Sequence, residues 1–152
     1  MKDFKASSTQ LNVKIGDNRF SKRKVHLDID TEEYKIIGDL ELSDLTELPS
    51  SFFSPGVMGP FSFIPFLSTY HGIVSMNHKI RGSLNFNERK IDFGKDSKGY
   101  IEEDWGKTFP SAWVWMQTNH FQKENRSFML SIAKVPFMNQ EFLGFLSVLW
   151  DN

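Results

Sequence analysis

Short runs in which apolar and polar residues alternate recur along most of the chain. The period of two is visible in segments 11–15, 25–29, 40–42, 84–86, 91–93 and 128–132. Because successive side chains of a strand point to opposite faces, this period indicates strands with one solvent-facing side. Turn-forming residues separate the runs, at 16–18, 30–33, 87–89 and 94–99. The pattern predicts an all-β fold, either an antiparallel β-barrel or a sandwich.

One long connection interrupts this pattern. Residues 49–66, PSSFFSPGVMGPFSFIPF, contain four prolines and many phenylalanines. Proline is excluded from most central strands, so we expect an irregular loop at one end of the barrel. A loop this apolar must cover something, either as a plug or as the lid or wall of a ligand pocket. We expect Phe61, Phe63 and Phe66 to be largely buried.

Composition excludes several classes of protein. The 18 basic and 19 acidic residues give a net charge of -1, which provides no electrostatic argument for a nucleic-acid partner. The absence of cysteine excludes disulfides, thiol nucleophiles and thiolate metal sites. The longest apolar run, residues 142–150, is far shorter than a membrane-spanning helix. We therefore expect a cytoplasmic protein without a transmembrane segment.

Candidate chemistry is concentrated in residues 99–119, GYIEEDWGKTFPSAWVWMQTN. In an extended chain Tyr100, Glu102 and Asp104 point to one face, whereas Trp105 points to the other. Two carboxylates on one face repel each other, and in apolar surroundings one of them is driven toward its protonated form. Such a neutral carboxylic acid is a proton donor.

The following strand has its own wide aromatic face, formed by Trp113, Trp115, Gln117 and Asn119. Indole rings stabilise a neighbouring cation, and the side-chain amides can orient the acid or a ligand hydroxyl. We expect residues 99–121 to form two neighbouring strands without a helix. A structural alternative stays open, in which the acids form a solvated strand end and one indole lies in the core.

The histidines do not indicate a metal site. His71 and His78 differ by seven positions, which in one uninterrupted strand would place them on opposite faces and argues against a metal-binding pair. His71 is a candidate partner for a carboxylate. The chain has no HExxH, P-loop, GxGxxG or GxSxG motif. We therefore predict no metal and no cofactor.

Residues 99–119 resemble the signature of the tocopherol cyclase-like family: a tyrosine, an acid, an N/D-W-G triplet, F-P and a tryptophan-rich strand that ends Q-x-N. SPGVMGPFSFIPF and YHGIVSMNHKIRGSL are also similar to that family, so the resemblance covers residues 54–121. The D-W-G triplet is similar as well to carotenoid hydratases of the hydroxyneurosporene synthase type. The resemblance implies a calycin-like, lipocalin-related architecture. We expect residues 1–152 to form a single β-domain that corresponds to one part of a longer two-domain protein.

The same resemblance implies chemistry on an isoprenoid double bond. An acid protonates the alkene, and a phenolic oxygen (in a cyclase) or water (in a hydratase) traps the tertiary cation. We expect Glu102 or Asp104 to be the acid, and Asp104 stands where plant members carry an amide. The candidate substrate-binding residues are Tyr100, Trp105, Trp113, Trp115, Gln117, Asn119, His71, Phe61 and Phe63.

The predicted function is thus an isomerase-type cyclisation, or a hydration, of a prenylated hydroquinone or other isoprenoid in an apolar pocket. The alternative is a non-catalytic, lipocalin-like module that binds a lipid or isoprenoid, with the acids bonded to its head group. A purely structural β-domain is a third interpretation, and the aromatic loop argues against it. A transient contact with a membrane is compatible with each ligand-binding interpretation.

Overall fold

The architecture is all-β, as the period of two predicts. A computed structural model describes residues 3–7, 9–138 and 140–152. This part of the chain contains eleven strands and one short 3-10 helix, Gly59–Phe63. Every strand pair with a recorded register is antiparallel. The prediction of an antiparallel all-β fold is confirmed.

The strands form an eight-stranded and a three-stranded sheet. The strand bounds are β1 Phe4–Ala6, β2 Asn12–Ile15, β3 Asn18–Ser21, β4 Lys24–Asp30, β5 Lys35–Ser43, β6 Thr69–Phe86, β7 Arg89–Phe93, β8 Lys98–Gly106, β9 Ala112–Thr118, β10 Ser127–Phe137 and β11 Gln140–Trp150. In the eight-stranded sheet β1 to β7 lie in sequence order and β8 pairs with β6, and in the three-stranded sheet the order is β11-β10-β9.

The chain divides into two compact units, of which the first comprises residues 1–45 and 78–99. In this unit short turns connect antiparallel strands at the predicted places. Gly16 (φ 59°) and Asn87 (φ 53°) adopt the left-handed conformation that tight hairpin turns require. Leu40 and Leu42 of β5 alternate with exposed residues and are buried, as their spacing predicted. The single-domain assignment stays a prediction.

The second unit comprises residues 46–77 and 100–152 and contains the tryptophan-rich motif. β8 and β9 are both strands, as predicted, but the expectation that they are neighbours in one sheet is wrong. β8 pairs with β6, whereas β9 pairs with β10. The N–H groups of Lys107 and Thr108 donate to the Ser68 carbonyl at 2.8 and 3.2 Å. These hydrogen bonds hold the segment between β8 and β9 beside Ser68. The two strands are therefore not joined by a tight hairpin turn.

The loop at 49–66 is irregular, as predicted, apart from its 3-10 helix. The expected burial of its phenylalanines is wrong, because Phe61, Phe63 and Phe66 are 55%, 58% and 84% exposed. The rings of this loop pack partly on one another at the surface, with 6.4 Å between the ring centroids of Phe52 and Phe63.

Gly106, the glycine of the D-W-G triplet, marks the end of β8. Its φ is 154°, and a Cβ added there would lie 2.2 Å from the Ser68 carbonyl oxygen. We expect Gly106→Ala to lower the free energy of unfolding by about 1 to 3 kcal/mol, since the backbone must shift to relieve both strain and collision. Urea denaturation followed by circular dichroism measures this change.

Gly94→Ala is the matched control for this substitution. A Cβ at Gly94 would meet no heavy atom within 4 Å, and its φ is not in the left-handed region. We expect this variant to unfold at nearly the wild-type urea concentration. Equal destabilisation by the two substitutions would contradict the role of the Ser68 contact.

Candidate functional site

The second unit encloses a cavity of about 540 Å³. Its walls come from the aromatic loop, the first residues of β6, the end of β8 and one side of the three-stranded sheet. The lining is predominantly aromatic and aliphatic, and the polar side chains in it are few. This volume falls within the range of cavities that bind small molecules.

The register of the three-stranded sheet makes room for two indole rings. Trp113 and Trp115 point into the cavity from β9, and their partners on β10 are Ala133 and Ser131. Small side chains beside each indole leave space that a larger residue would fill. This contribution of β10 was not predicted, because only the larger apolar residues at 128–132 stand out in the sequence. The small residues at 131 and 133 become meaningful only once the register is known.

A histidine and two carboxylates form a polar cluster in the cavity wall. His71 Nδ1 lies 2.5 Å from Asp104 Oδ1, and His71 Nε2 lies 3.5 Å from Glu102 Oε2. The exposed fractions of the His71, Glu102 and Asp104 side chains are 12%, 22% and 37%. Glu102 and Asp104 share a face of β8, as the alternation of side chains along a strand predicted, and His71 does pair with a carboxylate. The imidazole therefore lies between a deeper acid and a more exposed one. Its Nδ1 is hydrogen-bonded to Asp104, whereas its buried Nε2 has no hydrogen-bond partner among the described residues.

Glu102 also receives two neutral hydrogen bonds on the same oxygen. The Tyr100 hydroxyl donates to Oε2 at 2.6 Å, and the Trp115 indole N–H donates to it at 3.0 Å. Burial, and then the neighbouring Glu102 carboxylate, raise the pKa of Tyr100, so its hydroxyl stays protonated and acts as a donor. Because two donors point at Oε2, a protonated Glu102 would carry its proton on Oε1.

Trp105 and Phe63 lie outside the cavity lining. Trp105 is on the opposite face of β8, where its ring stacks on Tyr70 with 5.6 Å between centroids and an interplanar angle of 11°. A Cβ at Gly72 would come within 3.0 Å of the indole, so this glycine gives Trp105 its place. Phe63 packs toward Phe52 instead, whereas Phe61 does line the cavity.

The two amides are not the partners of the acid, which corrects the sequence-based expectation. Asn119 is buried and its Nδ2 donates to Asn77 Oδ1 at 3.2 Å. The Gln117 Nε2 is buried and has no hydrogen-bond partner among the described residues. β9 ends at Thr118, so the alternation of a regular strand does not extend to Asn119. Tyr100, Trp115 and His71 take the place that the sequence assigned to the amides.

The same cluster has the composition of a cation site. His71, Glu102 and Asp104 each offer one ligand atom, and these atoms all lie within 4.8 Å of one another. One nitrogen and two oxygen ligands suit several divalent cations. Binding a cation here would compete with the contact between His71 and Asp104. The absence of a metal from the function stays a prediction.

A comparison with protein families identifies the chain. A family model described as tocopherol cyclase-like matches residues 54–150, which is more than half of the 152 residues. The chain belongs to the tocopherol cyclase-like family. The resemblance seen over residues 54–121 is therefore confirmed, and the match continues through β10 and β11, the strands that complete the cavity wall. Membership of the tocopherol cyclase-like family supports a related function of the cyclase or isomerase type.

The other comparisons add no relative. Neither the curated proteins nor the solved structures include a match to this tocopherol cyclase-like chain. No helix in the described ranges has the length and apolar character needed to cross a membrane.

Proposed function

We propose that the protein catalyses the acid-dependent cyclisation, or the hydration, of a prenylated molecule, with Glu102 as the proton donor. One observation carries this proposal. Two carboxylates, with an imidazole between them, lie in the wall of an apolar cavity, and an indole N–H donates a hydrogen bond to the deeper acid. Positioned acids and cation-stabilising rings are the two components that alkene protonation needs.

The choice of Glu102 over Asp104 follows from burial and contacts. Glu102 is less exposed than Asp104, and the Trp115 indole lies against it. Its Oε1 is free of the two donors that point at Oε2, so it can present a proton to the alkene. Asp104, closer to solvent, holds the imidazole of His71 through Nδ1 and orients it beside Glu102. Glu102 is therefore the acid, and His71 with Asp104 restores its proton.

The cyclisation balances without another reactant. The Glu102 proton bonds to the less substituted alkene carbon, the π bond breaks, and a tertiary cation forms on the other carbon. A phenolic oxygen of the same substrate bonds to that carbon and loses its proton, which returns through His71 to Glu102. The product is an isomer of the substrate, and in a hydratase water replaces the phenolic oxygen.

The surroundings of the acid suit a short-lived cation. Trp115 and Trp113 line the cavity on one side, and Tyr100 lies 6.2 Å from Trp115 between ring centroids. Aromatic faces attract a cation without reacting with it as a base would. The predominantly apolar lining limits the water that would otherwise trap the cation.

Incubation with prenylated hydroquinones and linear isoprenoids in deuterium oxide tests the proposal. We expect the product to gain one carbon-bound deuterium beside the new C–O bond, measured by mass spectrometry, and we expect turnover to persist in EDTA. Binding of these molecules without conversion would support the non-catalytic module instead. Conversion that stops in EDTA and returns with a divalent cation would assign the cluster to a metal.

A further inference from the structure

The cavity opens through a ring of exposed apolar side chains. Five residues line the cavity and are nevertheless more than half exposed: Phe61 (55%), Phe109 (71%), Trp113 (60%), Leu143 (75%) and Phe145 (72%). We call these five the collar. The acidic cluster is much less exposed, with His71 at 12% and Glu102 at 22%. The polar groups therefore lie deeper than the collar.

The aromatic loop adds further exposed rings to the same unit. Phe52, Phe53 and Phe66 are 82%, 79% and 84% exposed. The sequence contains no aspartate, glutamate, lysine or arginine from residue 48 to residue 70. Phenylalanine has no polar atom that could reach water from such a position. An uncharged aromatic segment of this kind has a cost in water that burial in an apolar phase would remove.

We propose that the collar and the phenylalanines of the loop dock on the surface of a lipid bilayer, so that the cavity opens toward the acyl chains. The uncharged segment predicts contact with the apolar part of the bilayer rather than with anionic head groups. An isoprenoid dissolved in the lipid can then enter the cavity without crossing water. The route from bilayer to acid leads past the collar and ends at Glu102.

A lipid surface fits these residues better than a protein partner does. Protein interfaces are framed by polar and charged side chains that fix register, and residues 48–70 offer no charge for that purpose. The collar residues are also cavity residues. A protein seated on them would close the cavity entrance, whereas a bilayer would supply the ligand. A second copy of the chain is accordingly the main rival occupant in the test.

The inference rests on the proposed function only through the need of an isoprenoid for an apolar route. Docking is therefore measured without substrate, by sedimentation of the full chain with uncharged phosphatidylcholine vesicles. A lack of docking would overturn this inference and leave the acid chemistry intact. Normal docking of a protein that converts no isoprenoid would do the opposite.

The variant that tests the surface is Phe52→Ser with Phe53→Ser and Phe66→Ser. None of the three lines the cavity that holds the acidic cluster, and all are strongly exposed, so the variant retains its core. We expect its partition onto vesicles to fall by at least about tenfold, because each substitution replaces an exposed apolar ring, which the bilayer would bury, with a small polar side chain. Binding of the wild type should not depend on salt, since no ion pair is involved.

The matched control is Val114→Ser with Met116→Ser. These residues are 61% and 50% exposed and alternate with Trp113 and Trp115, so they point to the other side of the three-stranded sheet. We expect the control to bind vesicles like the wild type. Acyl chains brominated near the head group should quench the wild-type tryptophan fluorescence, and Trp113→Phe should remove part of that quenching.

Four results would overturn the inference. The first is equal release by the loop variant and by the Val114→Ser, Met116→Ser control. The second is binding that requires anionic lipid and disappears in salt. The third is a wild type that does not bind vesicles. The fourth is a wild-type dimer, seen by light scattering, that the loop variant converts to a monomer, because a second copy would then cover the surface.

Discussion

Glu102→Gln is expected to lower turnover by about 10²- to 10⁴-fold, which is the usual contribution of a positioned general acid. The glutamine keeps the size of the side chain, and its carbonyl oxygen can still accept from Tyr100 and Trp115. It cannot carry a proton that is donated to an alkene. Cavity shape and ligand affinity should therefore survive, so the loss should appear in kcat rather than in KM. Product formation under saturating prenylated hydroquinone measures it.

Glu103→Gln is the matched control for this result, because Glu103 neighbours Glu102 on β8 but points to the face where Gly72 lies. We expect it to turn over at nearly the wild-type rate. Asp104→Asn removes the charged partner of His71 and should cost on the order of tenfold, the equivalent of one charge-assisted hydrogen bond. If Asp104→Asn were the more damaging of the two acid variants, Asp104 would be the donor and the assignment to Glu102 would fail.

The strands and the faces of β8 and β9 follow from the sequence because alternation is a local property. Glu102 and Asp104 share a face opposite Trp105, and Trp113 shares one with Trp115, as the period of two requires. Pairing between strands is not local. The sequence placed β8 beside β9 on the strength of a short link, but the link bonds to Ser68 and each strand pairs elsewhere.

The partners of the acid could not be read from the sequence for the same reason. His71 lies 33 positions from Asp104, and the contact exists only because β6 pairs with β8. The amides at 117 and 119 were expected to bond the acid, because they can form such hydrogen bonds and alternate onto the same strand face as Trp113 and Trp115. Asn119, however, lies beyond the end of β9 and bonds to Asn77. The hydrogen bond to the acid that was expected from an amide comes instead from the indole N–H of Trp115. Trp115 lies on β9 and Glu102 on β8, which belong to different sheets.

The expected burial of the aromatic loop failed because it rested on the solvent preference of phenylalanine alone. A chain can leave apolar rings exposed where function uses them, and Phe61 illustrates this by lining the cavity while it is 55% exposed. The number of apolar residues in 49–66 does not show whether they are buried by the protein itself or left at its surface. That distinction requires the position of the loop relative to the cavity mouth.

Two substitutions of Trp115 are expected to separate its two contributions to catalysis. Trp115→Phe keeps an aromatic face in the cavity and removes the N–H that donates to Glu102 Oε2. We expect it to lower kcat about tenfold, the scale of one hydrogen bond to a charged group. Trp115→Leu also removes the face that attracts the cation, and we expect a further loss of about 30-fold, because a desolvated cation–π contact contributes about 2 kcal/mol.

Trp113→Leu is the control that shows whether these losses are specific to Trp115. Trp113 lines the same cavity, but it is 60% exposed and packs beside Phe109, with 6.2 Å between ring centroids. A ring near the cavity mouth contributes more to substrate binding than to stabilising the cation. Its loss should therefore raise KM and change kcat by no more than about threefold, well under the tenfold that 1.36 kcal/mol of transition-state stabilisation would give. Kinetics on one prenylated hydroquinone, with ligand binding measured separately, distinguish the two. Equal kcat values for Trp115→Phe and Trp115→Leu would contradict the cation–π contribution and mean that the indole acts through its N–H alone.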